Sequence, residues 1–402
     1  EKKKKKDLLD RVEKTWNKNN KEHLFIRSTN NLYSILNYFT LNKSSNKHNT
    51  ILFEGFRYKD IMNYISEETE YNVISWVGFK EKSRNIFNNN VVFMPHIYVP
   101  EYTLLKKINE GAATAKELNY IKHKINIDIN KLKEILKKID PIAIVFKHDT
   151  IPRDRGVSLA AKQLNILTIE IQHGLFIYNK GAFKSGKGTD RSLVWGRNFE
   201  KMYLDKKIKK QGKVSIIGYP NNIKKINKNK KNDELTVYYL GLNSEEKNKK
   251  KYLDVIVETL KKLMELSEKI GFKFVYRPHG KISDSLYKEL PQVPCSDVDE
   301  SLTTAFSKGD VFISFDSTSL IEASIYDNIT IQLKNYPRET VDFEKIGVVS
   351  KSLDSIVELE LYLNKIVNSK NLEGFKKPFN YDYIEINNPP GKKFIELLEK
   401  MV

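Results

Sequence analysis

Short apolar runs alternate with amphipathic stretches along most of the chain. The runs Ile51–Phe56, Ile142–Asp149 and Val311–Phe315 have the length and composition of buried strands, and residues at helical spacing follow each of them. Strands that alternate with helices are typical of a parallel, doubly wound sheet. The pattern therefore predicts an α/β fold.

The alternation is interrupted at Asn221–Asp233 (NNIKKINKNKKND), which has no apolar period, and it restarts at Leu235. The interruption predicts a linker between two Rossmann-like domains, and the FIELLEKMV stretch after Pro389-Pro390 predicts a terminal amphipathic helix. The predicted boundaries are a charged tail or helix over 1–21, an N-terminal domain over 22–220, a linker over 221–233, a C-terminal domain over 234–385 and the last helix within 386–402. Gly347–Val349 is predicted to be a short strand before a helix that begins at Leu353.

Charge and composition narrow the classes of partner. The 402 residues include 69 Lys+Arg and 51 Asp+Glu, a net charge of +18, which suits anionic membranes and phosphate-bearing substrates. No Arg-rich block or basic-aromatic repeat indicates nucleic-acid binding. The sequence has no run of roughly 18 apolar residues for a membrane span, and the single Cys295 excludes an intrachain disulfide. We expect a cytoplasmic protein whose basic patches could attach it to the inner face of the membrane.

A hydroxyl-rich turn follows one predicted strand in the stretch Val311–Asp327 (VFISFDSTSLIEASIYD). Ser317, Thr318 and Ser319 lie between the strand and a helix, where backbone N–H groups and the helix dipole favour an anion. A simple helix cap is the common alternative. Glu322, one turn into the helix, could bind a ribose hydroxyl or balance charge.

Two further predicted strands of the first half end in chemically active residues. Gln172-His173-Gly174 places a histidine at the carboxyl end of a strand, where open α/β sheets bind ligands and where a general base is useful. A hydrogen-bonded structural histidine is the alternative. Lys147-His148-Asp149 ends another strand, and Asp149 could orient a substrate or accept a proton.

Tyr276-Arg277-Pro278-His279-Gly280 ends a strand of the second half. Arg277 and His279 together can bind phosphate, the arginine through two donors; a surface turn with an ion pair is the alternative. Gly218-Tyr219-Pro220, just before the linker, suits a hinge or the floor of a cleft and is interpreted as structural.

Several other chemistries are not indicated. No G-x-G-x-x-G follows the first strand of either half, and no P-loop is present. The only Asp-x-Asp, Asp297-Val298-Asp299, follows a Pro-broken loop, so we expect Asp297 or Asp299 to cap the helix predicted over Asp299–Phe306. No metal and no cofactor are therefore expected.

Taken together, these residues resemble the bacterial surface-polysaccharide transferases of the GT-B type. The similarity is to capsule and lipooligosaccharide sialyltransferases and to CDP-glycerol glycerophosphotransferases, and Leu24–Phe39 is similar to the first strand and helix of the sialyltransferase-like group. The chain departs from that group at Gln172-His173-Gly174, where sialyltransferases carry an acidic-Asp-Gly turn. Pro278-His279 inverts the usual His-Pro order.

The resemblance implies an acceptor domain and a nucleotide-donor domain that face a central cleft, with the last helix crossing back onto the first domain. It implies a nucleotide-activated donor, CMP-sialic acid or another CMP-sugar ahead of a UDP-sugar, and a cell-surface glycan or lipid-linked glycan as acceptor. His173 would accept the acceptor's proton, with Asp149 as substitute, and Arg277, His279 and Ser317–Ser319 would hold the leaving phosphate.

Three alternatives remain open at the level of sequence. The first is a CDP-polyol phosphotransferase, which moves a phosphoryl-polyol group. The second is a nucleotide-sugar 2-epimerase with the same two-domain fold, and the third is a carbohydrate-binding protein without catalysis.

Overall fold

A computed structural model describes residues 49–77, 91–94, 97, 100, 102–148, 151–174, 187–223, 234–242, 250–279, 284–297, 299–337 and 341–402. The chain divides into two compact units. The first is drawn from the ranges Glu1–His173, Phe183–Asn222 and Glu385–Val402, and the second from Gly174–Ala182 and Ile223–Ile384. The tail 1–21, the segment Leu24–Phe39 and most of the predicted linker lie outside the described residues.

The first unit is built on a parallel seven-stranded sheet. Its strands are β1 (Thr50–Glu54), β2 (Asn72–Val77), β3 (Val91–Phe93), β4 (Pro141–Phe146), β5 (Leu167–Ile171), β6 (Arg191–Val194) and β7 (Val214–Ile216). Their order in the sheet is β3-β2-β1-β4-β5-β6-β7. The chain reverses its direction across the sheet between β1 and β4, and ligands of such sheets bind beyond the carboxyl ends at this switch point.

Helices cover both faces of this sheet. They are α1 (Lys59–Glu68), α2 (Tyr102–Asn109), α3 (Ala115–Ile139), α4 (Pro152–Gln163), α5 (Arg197–Asp205) and α11 (Pro390–Glu399). A capping box between Thr114 and Glu117 begins α3, and Asp140 in the left-handed conformation ends it. One core lies under α3 and α4, and the other lies under α1 and α11.

The C-terminal helix α11 belongs to the first unit although the second unit precedes it in the chain. The ring of Phe394 lies 5.7 Å from that of Phe53 in β1. A Cβ atom on Gly391 would lie 2.3 Å from Cβ of Tyr64 in α1, so this position requires glycine's close approach.

The second unit has a parallel five-stranded sheet with the order β12-β11-β10-β8-β9. Its elements are β8 (Thr236–Leu240), α6 (Lys250–Ile270), β9 (Lys273–Arg277), α7 (Asp284–Glu289), α8 (Leu302–Lys308), β10 (Val311–Ser314), α9 (Thr318–Ile325), β11 (Ile329–Leu333), β12 (Lys351–Leu353), α10 (Ile356–Val367) and a 3-10 turn at Glu373–Phe375. Here the switch point lies between β8 and β10, where Ile313 is opposite Tyr239.

The predicted α/β class with two Rossmann-like halves is confirmed, while two local predictions are wrong. The strand before α10 is Lys351–Leu353, not Gly347–Val349, because Gly347 has φ of 75° and lies in a turn. Helix α8 begins after Ser301, whose hydroxyl accepts a hydrogen bond from the Thr304 N–H, so neither Asp297 nor Asp299 is its cap. Within the described ranges, every helix is too short or too polar to traverse a lipid bilayer.

Candidate active site

A cluster of charged side chains occupies the switch point of the first sheet. Glu54 is the last residue of β1, and Lys147 directly follows β4, its neighbour. The Lys147 backbone N–H donates to Oε2 of Glu54 over 3.0 Å, and Nζ of Lys147 lies 3.0 Å from Oε1. Burial and the charge of Asp154 raise the pKa of Glu54, although Lys147 and His148 oppose this shift.

His148 is paired with a buried carboxylate. Its Nδ1 lies 2.9 Å from Oδ2 of Asp154, a fully buried residue in the first turn of α4. Burial alone would lower the pKa of His148, but the hydrogen bond to Asp154 and the charge of Glu54 outweigh it, so the pKa is raised.

Arg153 completes the network beneath this pair. Its Nε lies 3.3 Å from Oδ1 of Asp154, and Nη2 lies 3.7 Å from Oε1 of Glu54. The guanidinium also lies 5.0 Å from the centre of the Trp76 ring, a cation–π contact. Two carboxylates therefore face two basic side chains, Lys147 and Arg153, and the imidazole ring of His148.

His173, the predicted base, lies beside His148. Their ring centres are 5.5 Å apart and the rings meet edge to face. Arg57, in the turn after β1, donates a hydrogen bond to the His173 carbonyl over 2.5 Å. Burial, then the charges of Arg57 and His148, lower the pKa of His173 to about 4. Its imidazole is therefore neutral at physiological pH.

Three side chains of the cluster are close enough for one cation. One ligand atom from each of Glu54, His148 and Asp154 lies within 4.8 Å of the others, the only such group of three or more that a search of the described residues finds. Lys147 and Arg153 already neutralise both carboxylates. The arrangement thus fits an ion-pair network better than a metal centre.

The neighbours of His173 have structural roles. Oε1 of Gln172 accepts a hydrogen bond from the Trp195 N–H over 2.9 Å, and the Gln172 carbonyl accepts from the Trp195 indole over 2.8 Å. These bonds join the ends of β5 and β6 and fix the backbone that carries His173. Gly174 follows at the end of this described segment.

The Gly218-Tyr219-Pro220 turn holds the C-terminal segment. Gly218 has φ of 83°, and the Tyr219 N–H donates to the Glu385 carbonyl over 2.7 Å. The Tyr219 ring lies 5.6 Å from that of Trp195, and Pro220 is buried. This turn therefore contributes packing rather than a reactive group.

The second unit places Arg277 at the carboxyl end of β9. Its Nη2 donates to the Glu300 carbonyl over 3.0 Å. Burial lowers the pKa of the guanidinium, and the charges of Glu300 and Glu322 oppose that shift. Burial and Glu300 raise the pKa of Tyr238 to about 12.

The hydroxyl-rich turn lies at the switch point of this second sheet. The Ser314 hydroxyl donates to the Leu240 carbonyl over 2.8 Å and joins the ends of β10 and β8. Ser317 is the N-cap of α9 and accepts from the Ser319 N–H over 3.3 Å, while Thr318 and Ser319 are partly exposed in the first turn. His279 is exposed two residues after β9, whereas Gly280 and Asp149 lie outside the described residues.

Sequence reasoning did not select Glu54, Arg57, Arg153 and Asp154, and it considered His148 only as a neighbour of Asp149. The available signal was a carboxylate that ends the first apolar run, ILFE, and a second one just inside the helix that follows Lys147-His148. Recognising that these two carboxylates belong to one site requires knowing that β1 and β4 are neighbours.

Two Rossmann-like units, each with its candidate groups at the carboxyl edge of a parallel sheet, define the class of fold as GT-B. No protein-family model matches the chain, and no curated protein matches it in sequence.

Solved structures with this fold are similar along most of the chain. The UDP-GlcNAc 2-epimerase from Neisseria meningitidis, bound to UDP-GlcNAc, has a TM-score of 0.55 at 14% identity and covers 87% of this chain and 99% of its own. The glycosyltransferase SnogD from Streptomyces nogalater has a TM-score of 0.55 at 11% identity, covering 88% and 100%. The wall teichoic acid polymerase TagF, soaked with CDPG, has a TM-score of 0.50 at 12% identity, covering 97% of each chain. At these identities the likeness establishes the fold.

Proposed function

We propose that this protein is a glycosyltransferase that moves a sugar from a nucleotide-activated donor to a cell-surface glycan. One observation supports the proposal. The switch point of the first sheet has groups suited to accepting a proton, and that of the second has groups suited to binding a phosphate. The first has titratable histidines beside buried carboxylates, and the second has a hydroxyl-capped helix beside the sheet edge that carries Arg277.

The second unit binds the nucleotide in this proposal. Arg277 contacts the diphosphate or phosphate, since a guanidinium can donate two parallel hydrogen bonds to it. The N-terminus of α9 with Ser317, Thr318 and Ser319 adds backbone N–H donors and hydroxyls. His279 adds a further donor from the exposed turn after β9, and Glu322 accepts from a ribose hydroxyl.

The first unit supplies the proton chemistry. The acceptor hydroxyl attacks the anomeric carbon, the bond from that carbon to the phosphate oxygen breaks, and the nucleotide leaves with the electron pair. A histidine of the first unit, His173 as the sequence predicts or its neighbour His148, takes the hydroxyl proton. The leaving charge is neutralised by Arg277, His279 and backbone N–H groups, so no metal and no cofactor are required.

A CMP-sugar such as CMP-sialic acid remains our favoured donor, with a UDP-sugar as the alternative. The similar structures include one bound to UDP-GlcNAc and one soaked with CDPG, which supports a nucleoside-diphosphate donor as well. A thermal-shift screen with CMP, CDP and UDP decides among them, because a ligand that binds only the folded state raises its stability with affinity. No shift with any nucleotide would refute the proposal.

Two other enzyme classes can be distinguished from a glycosyltransferase by the substrates that they consume. A 2-epimerase, favoured by the likeness to the meningococcal enzyme, converts a UDP-sugar without any acceptor. A CDP-polyol phosphotransferase, favoured by the likeness to TagF, consumes a CDP-polyol instead of a nucleotide-sugar and transfers its phosphoryl-polyol group with release of CMP. Nucleotide binding without turnover would instead indicate a carbohydrate-binding protein.

The acceptor is proposed to be lipid-linked and the protein to bind the inner membrane surface from the cytoplasm. Helix α3 buries one face and exposes the other, on which Tyr120 and Ile127 are 50% and 37% exposed. Lys124, Lys131 and Lys138 lie on the same exposed face at helical spacing. Apolar and basic side chains on one exposed face suit an anionic lipid surface.

A further inference from the structure

The geometry points to His148, oriented by Asp154, as the proton acceptor of the transfer reaction, with His173 as its neutral neighbour. This inference rests on the proposed function and deepens it, because it chooses between the two histidines of the first unit. It also assigns a positioning role to Asp154, a carboxylate that is not among the candidates chosen from the sequence.

The His148–Asp154 pair has the geometry of an oriented base. Nδ1 of His148 lies 2.9 Å from Oδ2 of Asp154, a fully buried carboxylate, and that negative charge favours the ring proton on Nδ1. The lone pair is then at Nε2, the nitrogen available to a substrate. Arg153 holds the other oxygen of Asp154 at 3.3 Å, which keeps the carboxylate in place. A base whose tautomer is fixed by a third group is the arrangement used for nucleophile activation on many folds.

Every element around His148 contributes a titratable or charged group. Glu54 faces it from β1, Lys147 precedes it, and Arg153 and Asp154 come from α4. The His173 ring contacts it from the end of β5, and Arg57 donates a hydrogen bond to the His173 carbonyl. The carboxylates dominate at His148 and raise its pKa, whereas the cations and burial dominate at His173 and lower its pKa to about 4.

These opposite environments assign two roles to two similar rings. A general base works best when its pKa is near the working pH, because it must be unprotonated and still attract a proton. His148, whose pKa is raised above the ordinary histidine value by Asp154 and Glu54, is the stronger base of the two. His173 remains neutral, attracts a proton weakly and can serve as a hydrogen-bond partner of the substrate. In the transfer step the proton moves from the acceptor oxygen to Nε2 of His148, and Asp154 stays ionised beside the resulting imidazolium.

The dyad itself is tested by following histidine ring resonances of the full chain by NMR during a pH titration. We expect His148 to titrate above the ordinary value near 6.5 and His173 near 4. Asp154→Asn should lower the pKa of His148, because it removes the carboxylate whose hydrogen bond and charge raise it. A His148 pKa that does not respond to Asp154→Asn overturns the dyad.

The base assignment is tested with the donor that wild-type protein consumes, UDP-GlcNAc or CMP-sialic acid. His148→Gln should lower kcat by roughly a hundred- to ten-thousandfold while the donor Kd stays unchanged, and His123→Gln serves as the matched control. The rate of the wild type should fall as pH drops below the raised pKa of His148, and Asp154→Asn should move that fall to lower pH.

The outcomes separate this inference from the proposed function. Transfer that survives His148→Gln, or a wild-type acid limb near pH 4, assigns the base to His173 and refutes our proposal alone. Wild-type protein that transfers sugar from neither donor refutes the proposed function and the base together, while the NMR titration still decides the dyad. Thermal unfolding of each variant shows whether it is folded.

Discussion

Arg277 and Ser317 contribute to nucleotide binding in physically different ways. Arg277→Ala removes a charge-assisted contact, which is worth roughly 1.5–3 kcal/mol, so the Kd of the bound nucleotide should rise about ten- to a hundredfold. His279→Ala should have a similar but smaller effect because His279 is exposed, and Ser317→Ala should have the least effect on affinity. Isothermal titration calorimetry measures all three.

A matched control exists in the same unit. Ser307, whose hydroxyl donates to the Thr304 carbonyl on an exposed face of α8, can be changed to Ala without touching the site. Ser317→Ala should in addition cost about 1 kcal/mol of stability through the lost cap of α9. Unaltered affinity in the Arg277 and Ser317 variants would contradict the phosphate site.

The positions of individual candidate residues could be predicted from the sequence where those residues directly follow a predicted strand. His173, Arg277 and Ser317 each follow an apolar run, and their positions at the sheet edges result directly from it. Glu54 also ends a strand, but its meeting with Asp154 could not be predicted, because the two are 100 residues apart and come together only through the pairing of β1 with β4. The order of strands in a sheet is a tertiary property, and the hydrophobic periodicity of the sequence does not reveal it.

At the scale of elements, the contact of α11 with α1 depends on the absence of a side chain. Gly391→Ala would place a Cβ 2.3 Å from Cβ of Tyr64, so the helices must separate or shift. We expect a loss of about 1–3 kcal/mol in the free energy of unfolding, measured by urea denaturation. Gly374→Ala is the matched control, because no atom lies within 4 Å of its new Cβ. Equal stability of the two variants would show that the helices do not pack so closely.

The exposed face of α3 gives a second prediction at this scale. Replacing Lys124, Lys131 and Lys138 with Ser should weaken binding to phosphatidylglycerol vesicles about a hundredfold, since each lysine near an anionic surface is worth roughly 1 kcal/mol. Sedimentation with vesicles measures it. The same changes at the exposed Lys261, Lys288 and Lys370 of the second unit are the control. An equal loss in both triple variants would indicate general charge attraction and not a docking face.

Element boundaries were the least predictable part of the fold. The sequence predicted a strand at Gly347–Val349, yet Gly347 has a left-handed backbone conformation and the chain becomes extended only at Lys351. Ser301 rather than an aspartate caps α8, and the Glu300 N–H just before it donates to the Asp297 carbonyl. Tertiary contacts decide which of these competing local conformations forms.

For the molecule as a whole, we expect activity without a divalent cation. Lys147 and Arg153 already neutralise Glu54 and Asp154, the carboxylates to which a metal would otherwise bind. In the proposed reaction Arg277 neutralises the leaving phosphate. Protein purified without added metal should retain its rate in excess EDTA. If magnesium or manganese restored a lost rate, Glu54, His148 and Asp154 would become the candidate ligands instead.

The positions of two tryptophans have an optical consequence. The Trp195 indole donates to the carbonyl of the residue before His173, and the Trp76 ring lies under the guanidinium of Arg153. Both rings are almost fully buried, and Trp16, the remaining one of the three in the chain, lies outside the described residues. Indole emission depends on nearby charge and hydrogen bonding. Intrinsic fluorescence therefore offers a label-free signal of protonation or substrate arrival at the edge of the first sheet, and a Trp16→Phe variant would leave only the two reporters beside the site.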